Sequence, residues 1–173
     1  GNHEQRLIEN QFGLNYHQYK QIVEDMGMVY LSNSSIEIYE NICIHGLDLD
    51  EKYYLRRHKK PLDSSYIENR LNIDISKFNI LLAHSPLFIK DYAKSKVDLA
   101  LAGHFHGGTI RLPGGIGLMT PQFHFLNKLV VGMKKIGSTI QIIGAGLGTH
   151  SINIRLNDMS ELIVINLNSR NKI

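Results

Sequence analysis

Two apolar runs in the middle of the sequence each end in a histidine. The first run lies within 78–83 and is followed by His84, and the second lies within 98–102 and is followed after one glycine by His104. Continuous apolar runs of this length are typical of strands that are buried on both faces of a sheet. Because ligands of open α/β sheets bind beyond the carboxyl ends of the strands, we expect both histidines at the same edge of one sheet.

The remaining helices and strands are predicted from the spacing of apolar residues and from the positions of turn-forming residues such as glycine. Apolar residues at helical spacing before Gly27 predict a helix over 15–26. Runs rich in β-branched residues predict strands, and glycine density predicts loop over most of 103–117. Further strands are predicted at 28–31, 36–39, 42–45, 109–112, 139–143 and 161–167, with a short helix at 86–93 and helix in the later part of 51–71. This alternation favours an α/β layered sandwich.

Composition narrows the class of protein. The chain has 173 residues, of which 43% are hydrophobic, enough for one domain with its own core. A net charge of +3 gives no clear signal for nucleic acid, which requires a concentrated basic face. Cys43 is the single cysteine, so an internal disulfide and a cysteine-based zinc site are excluded. No apolar run is long enough to predict a transmembrane span.

A histidine-rich motif suggests metal chemistry. His104 and His106 are two residues apart and are flanked by glycines, which tolerate the unusual dihedrals that backbone near a metal requires. Imidazole is the commonest metal ligand in proteins, and the pattern gains weight when His84 is added from the neighbouring strand. The alternative is that these are loop histidines that hydrogen-bond to backbone carbonyls. The chain also opens with Gly-Asn-His-Glu at 1–4.

Taken together, these motifs resemble those of the calcineurin-like metallophosphoesterase superfamily. The resemblance implies a layered α/β/β/α sandwich and hydrolysis of phosphate esters by two divalent ions, of which Mn, Fe and Zn suit such ligands. It implies that Asn2, His84 and His104 bind the second metal and that His106 binds the first. It gives His3 the role of general acid or transition-state stabiliser near the scissile phosphate, a role open to imidazole near neutral pH.

The resemblance also implies motifs that this sequence does not contain. Members of the superfamily carry an Asp-x-His and a Gly-Asp-x-x-Asp upstream of Gly-Asn-His-Glu, and these supply most of the first-metal ligands. Residues 1–173 are therefore interpreted as the C-terminal portion of a single domain, weakly active or inactive alone. The expected partner is the missing N-terminal segment, or a second copy paired through an exposed sheet edge. The sequence leaves the compartment open between the cytoplasm and the surface of a bacterial membrane, which the protein would reach through a missing N-terminus.

The later motifs are similar to one bacterial branch of the superfamily. His-Phe-His-Gly-Gly-Thr-Ile-Arg-Leu-Pro at 104–113 is followed by Gly-Leu-Gly-Thr at 146–149 and by Glu161. That branch, which is often membrane-associated, includes phosphodiesterases and lipid-precursor pyrophosphatases. The resemblance therefore implies a phosphodiester or pyrophosphate substrate, lipid-linked or nucleotide-linked.

Three further features have open interpretations. Arg111 and Arg155 either meet a phosphate-bearing substrate or form surface salt bridges. The basic cluster at 52–60 is interpreted as a solvated helix face, with the steering of anionic substrates or lipid headgroups as the alternative. The glycines of 144–148 indicate a loop near the active-site edge more than a nucleotide-binding motif, because their spacing is not Gly-x-Gly-x-x-Gly.

Two hypotheses compete with that of a metallophosphoesterase. One is a non-catalytic or inactive fragment that binds one metal weakly. The other is a zinc-stabilised interaction module that binds anionic surfaces through the basic cluster at 52–60. The second requires a closed site of four ligands, whereas a catalytic site keeps a position open for water or substrate.

Overall fold

A six-stranded mixed sheet forms the framework of the protein. The computed structural model describes residues 13–55, 61–63, 65–108, 110–114, 116–119, 125–128, 130–148 and 155–168. Within these ranges the helices are α1 (Tyr16–Asp25) and α2 (Ile89–Lys94). The strands are β1 (Ser34–Tyr39), β2 (Ile42–Leu47), β3 (Phe78–Ala83), β4 (Leu99–Ala102), β5 (Arg111–Leu112), β6 (Ile116–Met119), β7 (Phe125–Asn127), β8 (Gly132–Ile136) and β9 (Thr139–Ile143).

The strand order explains why the sheet has a functional edge. The main sheet runs β1-β2-β3-β4-β9-β8, and β5, β6 and β7 form a separate antiparallel sheet. Strands β2, β3, β4 and β9 are parallel, while β1 and β8 pair antiparallel to their neighbours at the two sides. The predicted α/β class is confirmed. The four parallel strands end at one edge, hereafter the carboxyl edge.

The predicted helix at 15–26 is confirmed as α1. Its N-cap is Asn15, whose side chain accepts a hydrogen bond from the Gln18 amide, while the Gln18 side chain accepts from the Asn15 amide in return. This reciprocal capping satisfies two backbone donors that the first turn leaves open. Gly27 follows with a φ of 81°, the left-handed conformation that ends many helices. Among the residues described, no helix combines the length and apolarity needed to cross a membrane.

One face of the main sheet is covered by a continuous apolar core. Side chains from alternate positions of β2, β3 and β4 point into it, and described residues of 49–55, 61–63 and 65–71 pack over them together with α2. Tyr53 lies edge-on to both Tyr66 and Phe88, with ring centroids 5.0 and 5.5 Å away. Such edge-to-face pairs add to the stabilisation from buried area. We call this side of the sheet the covered face; its strand residues are Leu47, Leu81, Ala83 and Ala100.

The opposite side, the open face, is apolar but only partly covered. It carries Ile44, Ile80, Leu82, Leu101 and Ile142, which share one side of the sheet by register. Phe78 and Leu82 are exposed there, so the prediction that 78–83 is buried on both faces is wrong for two residues. Within the described residues the main sheet thus has one covered face, whereas in the expected α/β/β/α sandwich a second sheet would pack on the other face.

Three predicted elements are replaced by other conformations. The segments 28–31 and 161–167 form no strand, because a strand needs backbone hydrogen bonds to a neighbour and neither segment has a ladder partner among the described residues. The described parts of 51–71 form a 3-10 turn at Glu51–Tyr54 and hydrogen-bonded turns over 65–70 in place of a helix. Of the strand predicted at 109–112, the structure contains β5 at Arg111–Leu112, and Thr109 lies outside the described residues.

A buried glutamine in β9 gives a prediction about stability. Gln141 is fully buried on the covered face, and neither atom of its amide has a hydrogen-bond partner in the part of the chain that is described. An unsatisfied buried amide costs roughly 1–3 kcal/mol. Gln141→Met, which keeps the length of the side chain, should therefore raise the free energy of unfolding by about 1 kcal/mol and Tm by about 2–4 °C.

Thermal and urea unfolding of the purified variant measures this effect. Lys135→Met is the control, because Lys135 is an exposed residue of the adjacent strand and its replacement should change stability by no more than about 0.5 kcal/mol. A Gln141→Met protein less stable than the parent would mean that the amide is hydrogen-bonded to buried water.

Candidate active site

His84 is fixed between a strand and a helix. It follows the last residue of β3, and its carbonyl accepts a hydrogen bond of 3.1 Å from the Gly103 amide, which continues the pairing with the next strand. Ser85 then caps the 3-10 turn Pro86–Phe88 that leads into α2. The Tyr92 hydroxyl donates to the Ser85 carbonyl at 2.8 Å. Burial raises the pKa of Tyr92 well above its ordinary value, so this hydroxyl remains a donor.

His104 follows β4 and lies against His84. Their ring centroids are 5.0 Å apart, with an angle of 69° between the ring planes, and His104 is buried. The predicted position of both histidines at one edge of the sheet is confirmed. Parallel strands β3 and β4 are neighbours, so residues just beyond their ends are brought together. Two adjacent imidazoles form a donor set suited to a divalent transition metal.

Tyr54 completes an aromatic cluster with the two histidines. Its ring centroid lies 5.1 Å from that of His104 and 6.1 Å from that of His84. The solvated basic cluster expected at 52–60 includes Tyr53 and Tyr54. That interpretation is wrong for both tyrosines, since Tyr53 belongs to the core and Tyr54 packs on the candidate site. The part of the cluster at 56–60 lies outside the described residues.

The loop after β4 has an uncommon backbone. His104, His106, Gly107 and Gly108 all have positive φ, at 68°, 46°, 67° and 85°. A non-glycine residue rarely adopts this conformation, and it costs free energy that surrounding contacts must offset. Such local strain is commoner at functional sites than elsewhere. The glycines of the His-x-His-Gly-Gly motif are therefore required by the turn itself.

An acidic residue that the motifs did not indicate, Asp48, lies at the same edge. It directly follows β2, as His84 follows β3, so the same rule about strand ends would have found it. The Ser32 hydroxyl donates to its carboxylate, and its amide donates to the Asn33 side chain. Asp48 and His84 both line a cavity of about 370 Å³, together with Tyr30, Leu31, Leu47, Leu82, Leu101, Ala102 and Gly103. A carboxylate thus lines the same cavity as His84.

Of the other predicted site residues, the structure describes His106 but not Asn2 or His3, which lie outside the described residues. His106 begins the turn after His104 and is partly buried. In the described ranges no group of three or more His, Cys, Asp or Glu side chains is arranged to hold a metal ion. His84 and His104 therefore fit a metal as a pair of donors, and a further ligand must come from elsewhere, as Asn2 would by the resemblance.

Arg111 and Arg155 are engaged with a buried carboxylate. Arg111 donates to Asp158, and the Arg155 Nε lies 3.8 Å from the other carboxylate oxygen. Of the two alternatives, contact with substrate or surface salt bridges, the structure shows salt bridges. Their partner, Asp158, is buried and does not lie at the surface.

Comparison with known proteins points to one class. The chain is 27% identical to the uncharacterized metallophosphoesterase YkoQ of Bacillus subtilis over 94% of its own length and 56% of the relative's. It is 28% identical to an uncharacterized metallophosphoesterase of Aquifex aeolicus, covering 98% of the chain and 59% of the relative. It is 35% identical to YkuE of Bacillus subtilis, also named a metallophosphoesterase, over 54% of the chain and 32% of the relative.

These similarities confirm the resemblance to the calcineurin-like metallophosphoesterase superfamily. The 173-residue chain spans little more than half the length of YkoQ and of the Aquifex protein. No protein-family model matches the chain, and no solved structure matches it.

Proposed function

We propose that the protein hydrolyses a phosphoester at a dinuclear metal centre on the carboxyl edge of its sheet. The observation that carries the proposal is the packing of the His84 and His104 rings at the ends of two neighbouring parallel strands. The names of the curated relatives support the general class of activity. The donor set supports a borderline-soft divalent ion such as Mn, Fe or Zn.

Each candidate residue has a distinct task in this proposal. His84, His104 and Asn2 hold one ion, and His106 belongs to the second. When bound, the ions act as Lewis acids toward the phosphate and the attacking water. His3 donates a proton to the leaving alkoxide, a step for which an imidazole with a pKa near 6.5 is suited. Tyr54 packs on the two ligand rings and limits their rotation.

We further propose that the open face needs a second polypeptide segment. Leu162 and Val164 are 83% and 76% exposed, in a segment (161–167) that has no ladder partner among the described residues, and Phe78 and Leu82 are exposed on the sheet. Large apolar surfaces of this kind mark interfaces. The proposed occupant is an N-terminal segment with the upstream Asp-x-His and Gly-Asp-x-x-Asp motifs, and a second copy of the chain is the alternative.

The substrate class follows from the same resemblance. A phosphodiester or a pyrophosphate, lipid-linked or nucleotide-linked, is proposed. The cavity beside His84 combines Asp48 with the apolar Leu31, Leu82 and Leu101, which supports a leaving group that is largely apolar.

The activity test compares the chain alone with the chain in the presence of a complementing segment. Hydrolysis of bis(p-nitrophenyl) phosphate is measured with excess Mn²⁺, with and without a separately purified segment that carries the two upstream motifs. The proposal predicts weak turnover for the chain alone and stimulation by the segment. Absence of metal-dependent turnover in both samples would contradict it and favour the inactive fragment.

Self-association of the 173-residue chain is a related prediction. Light scattering should detect concentration-dependent oligomers, because apolar side chains on the open face and on segment 161–167 are exposed to water. Leu162→Asp should reduce the association, whereas Met159→Asp, at an equally exposed position (83%) outside that segment, should not. A compact monomer with robust turnover would show that no covering segment is needed.

A further inference from the structure

Asp158 is a buried acidic residue for which the proposed reaction has no role. Its side chain has no exposure to solvent, yet it lies in the segment that precedes the exposed residues 159–164. Burying a carboxylate is costly unless cations and hydrogen bonds compensate for the lost water. Arg111 from β5 donates to one oxygen, and Arg155 lies near the other. The charge is therefore held by two arginines from separate parts of the chain.

The Asp158 carboxylate packs directly against the backbone of Gly107. A Cβ atom built on Gly107 would overlap the three heavy atoms of the carboxyl group. Gly107 follows His106, and both have positive φ. Backbone with positive φ at a non-glycine residue is costly and persists only where surrounding contacts hold it in place. Asp158 is the side chain that meets the turn at that point.

Arg155 connects the same carboxylate to a second loop at the carboxyl edge. Its guanidinium donates to the carbonyls of Ala145 and Gly146 at 2.5 and 3.1 Å. Glu161 accepts a hydrogen bond of 3.1 Å from the Ala145 amide. On the other side, the Arg111 amide donates to the Leu156 carbonyl at 2.9 Å. Segment 155–161 thus ties the loop after β9 to the region that follows the histidine motif.

We propose that Asp158 is a positioning residue for His106. Through its contacts with Gly107 and Arg111 it holds the turn His106–Gly108, and so fixes the position of His106 in the loop that follows His104. Asp158 touches neither metal nor substrate in this arrangement. The inference rests on the proposed function only for the role of His106; the rigidity of the turn is an independent property of the chain.

Amide hydrogen exchange of the Gly108 N–H tests the positioning directly. This amide donates to the Phe105 carbonyl at 2.7 Å and closes the turn. Asp158→Asn keeps the shape of the side chain but removes the charge opposite two partly buried arginines. Exchange at Gly108 should become faster by about tenfold or more, while the amides of β3 and β4 exchange as before. Asp91→Asn, which alters another largely buried carboxylate in α2, is the matched control and should leave Gly108 unchanged.

Two alanine substitutions, at Gly107 and at Gly137, distinguish the effect of the contact with Asp158 from the effect of a positive φ alone. Gly107 and Gly137 have φ values of 67° and 60°, but a Cβ on Gly137 would meet nothing within 4 Å. Gly107→Ala should accelerate exchange at Gly108 beyond any change caused by Gly137→Ala. This pair also decides the matter if Asp158→Asn fails to fold. Uniform acceleration across the chain, or equal effects of the two alanines at Gly108, would overturn the proposal.

The affinity for Mn²⁺ provides the second readout. If His106 is a ligand, loosening its turn should weaken Mn²⁺ binding by about 10–100-fold, as for other residues that orient metal ligands. Faster exchange at Gly108 with unchanged Mn²⁺ affinity would support the positioning by Asp158 and count against His106 as a metal ligand. The exchange rate at Gly108 therefore tests the positioning by Asp158, whereas the Mn²⁺ affinity tests whether His106 is a ligand in the proposed function.

Discussion

His104→Ala is expected to weaken the binding of Mn²⁺ to the chain by about a hundredfold or more. Even residues that only orient a ligand contribute 10–100-fold to metal affinity, so the loss of a ligand should cost at least as much. His104 is buried against His84 and Tyr54, and its removal leaves one imidazole of the pair. Titration of Mn²⁺, followed by the electron paramagnetic resonance signal of the free ion, measures the affinity.

The control for this experiment is His17→Ala. His17 is an exposed residue of α1 whose ring contacts Tyr16, and its loss should leave Mn²⁺ affinity unchanged. Circular dichroism of the His104→Ala protein checks that the fold persists. Equal affinities for the parent and the His104→Ala protein would remove His104 from the metal site and with it the main support for the proposed function.

His3→Ala is expected to lower kcat by about 10²–10⁴-fold while leaving the metal content near that of the parent. The reason is that the proposal assigns His3 to proton transfer and not to coordination. The measurement requires a form of the protein with measurable turnover, and pairs steady-state kinetics with metal analysis of the purified variant. His58→Ala, which changes a histidine with no proposed role, serves as the control.

The pH profile adds a second check on His3. Loss of a general acid should remove the fall in kcat that accompanies its deprotonation at higher pH. A parallel loss of turnover and bound metal would instead identify His3 as a ligand.

Much of the central sheet could be predicted from the sequence because its signals are local. The strands predicted at 78–83 and 139–143 have those bounds in the structure, since each is rich in apolar residues and bounded by turn residues. The helix at 15–26 was predictable for a similar reason, as its capping residues are adjacent in sequence. The joint position of His84 and His104 followed from a general rule about strand ends.

The missed elements depend on contacts between distant residues. Strands β6, β7 and β8 are short, and β6 lies in glycine-rich sequence. Their alternation of apolar and polar residues is therefore too weak to predict a strand. The segment 161–167 has strand-like composition but no pairing partner among the described residues, and composition alone does not supply one. The roles of Tyr54 and Asp158 could not be predicted, because each depends on loops that meet only in the folded chain.

The central claim is that His84 and His104 share one divalent ion. The most direct test is an anomalous difference map at the zinc edge from crystals of the chain soaked with Zn²⁺. We expect one peak within about 2.0–2.1 Å of a ring nitrogen of each histidine, the usual Zn–N distance. A map with no peak between the two rings, or with zinc bound only at other histidines, would contradict the account.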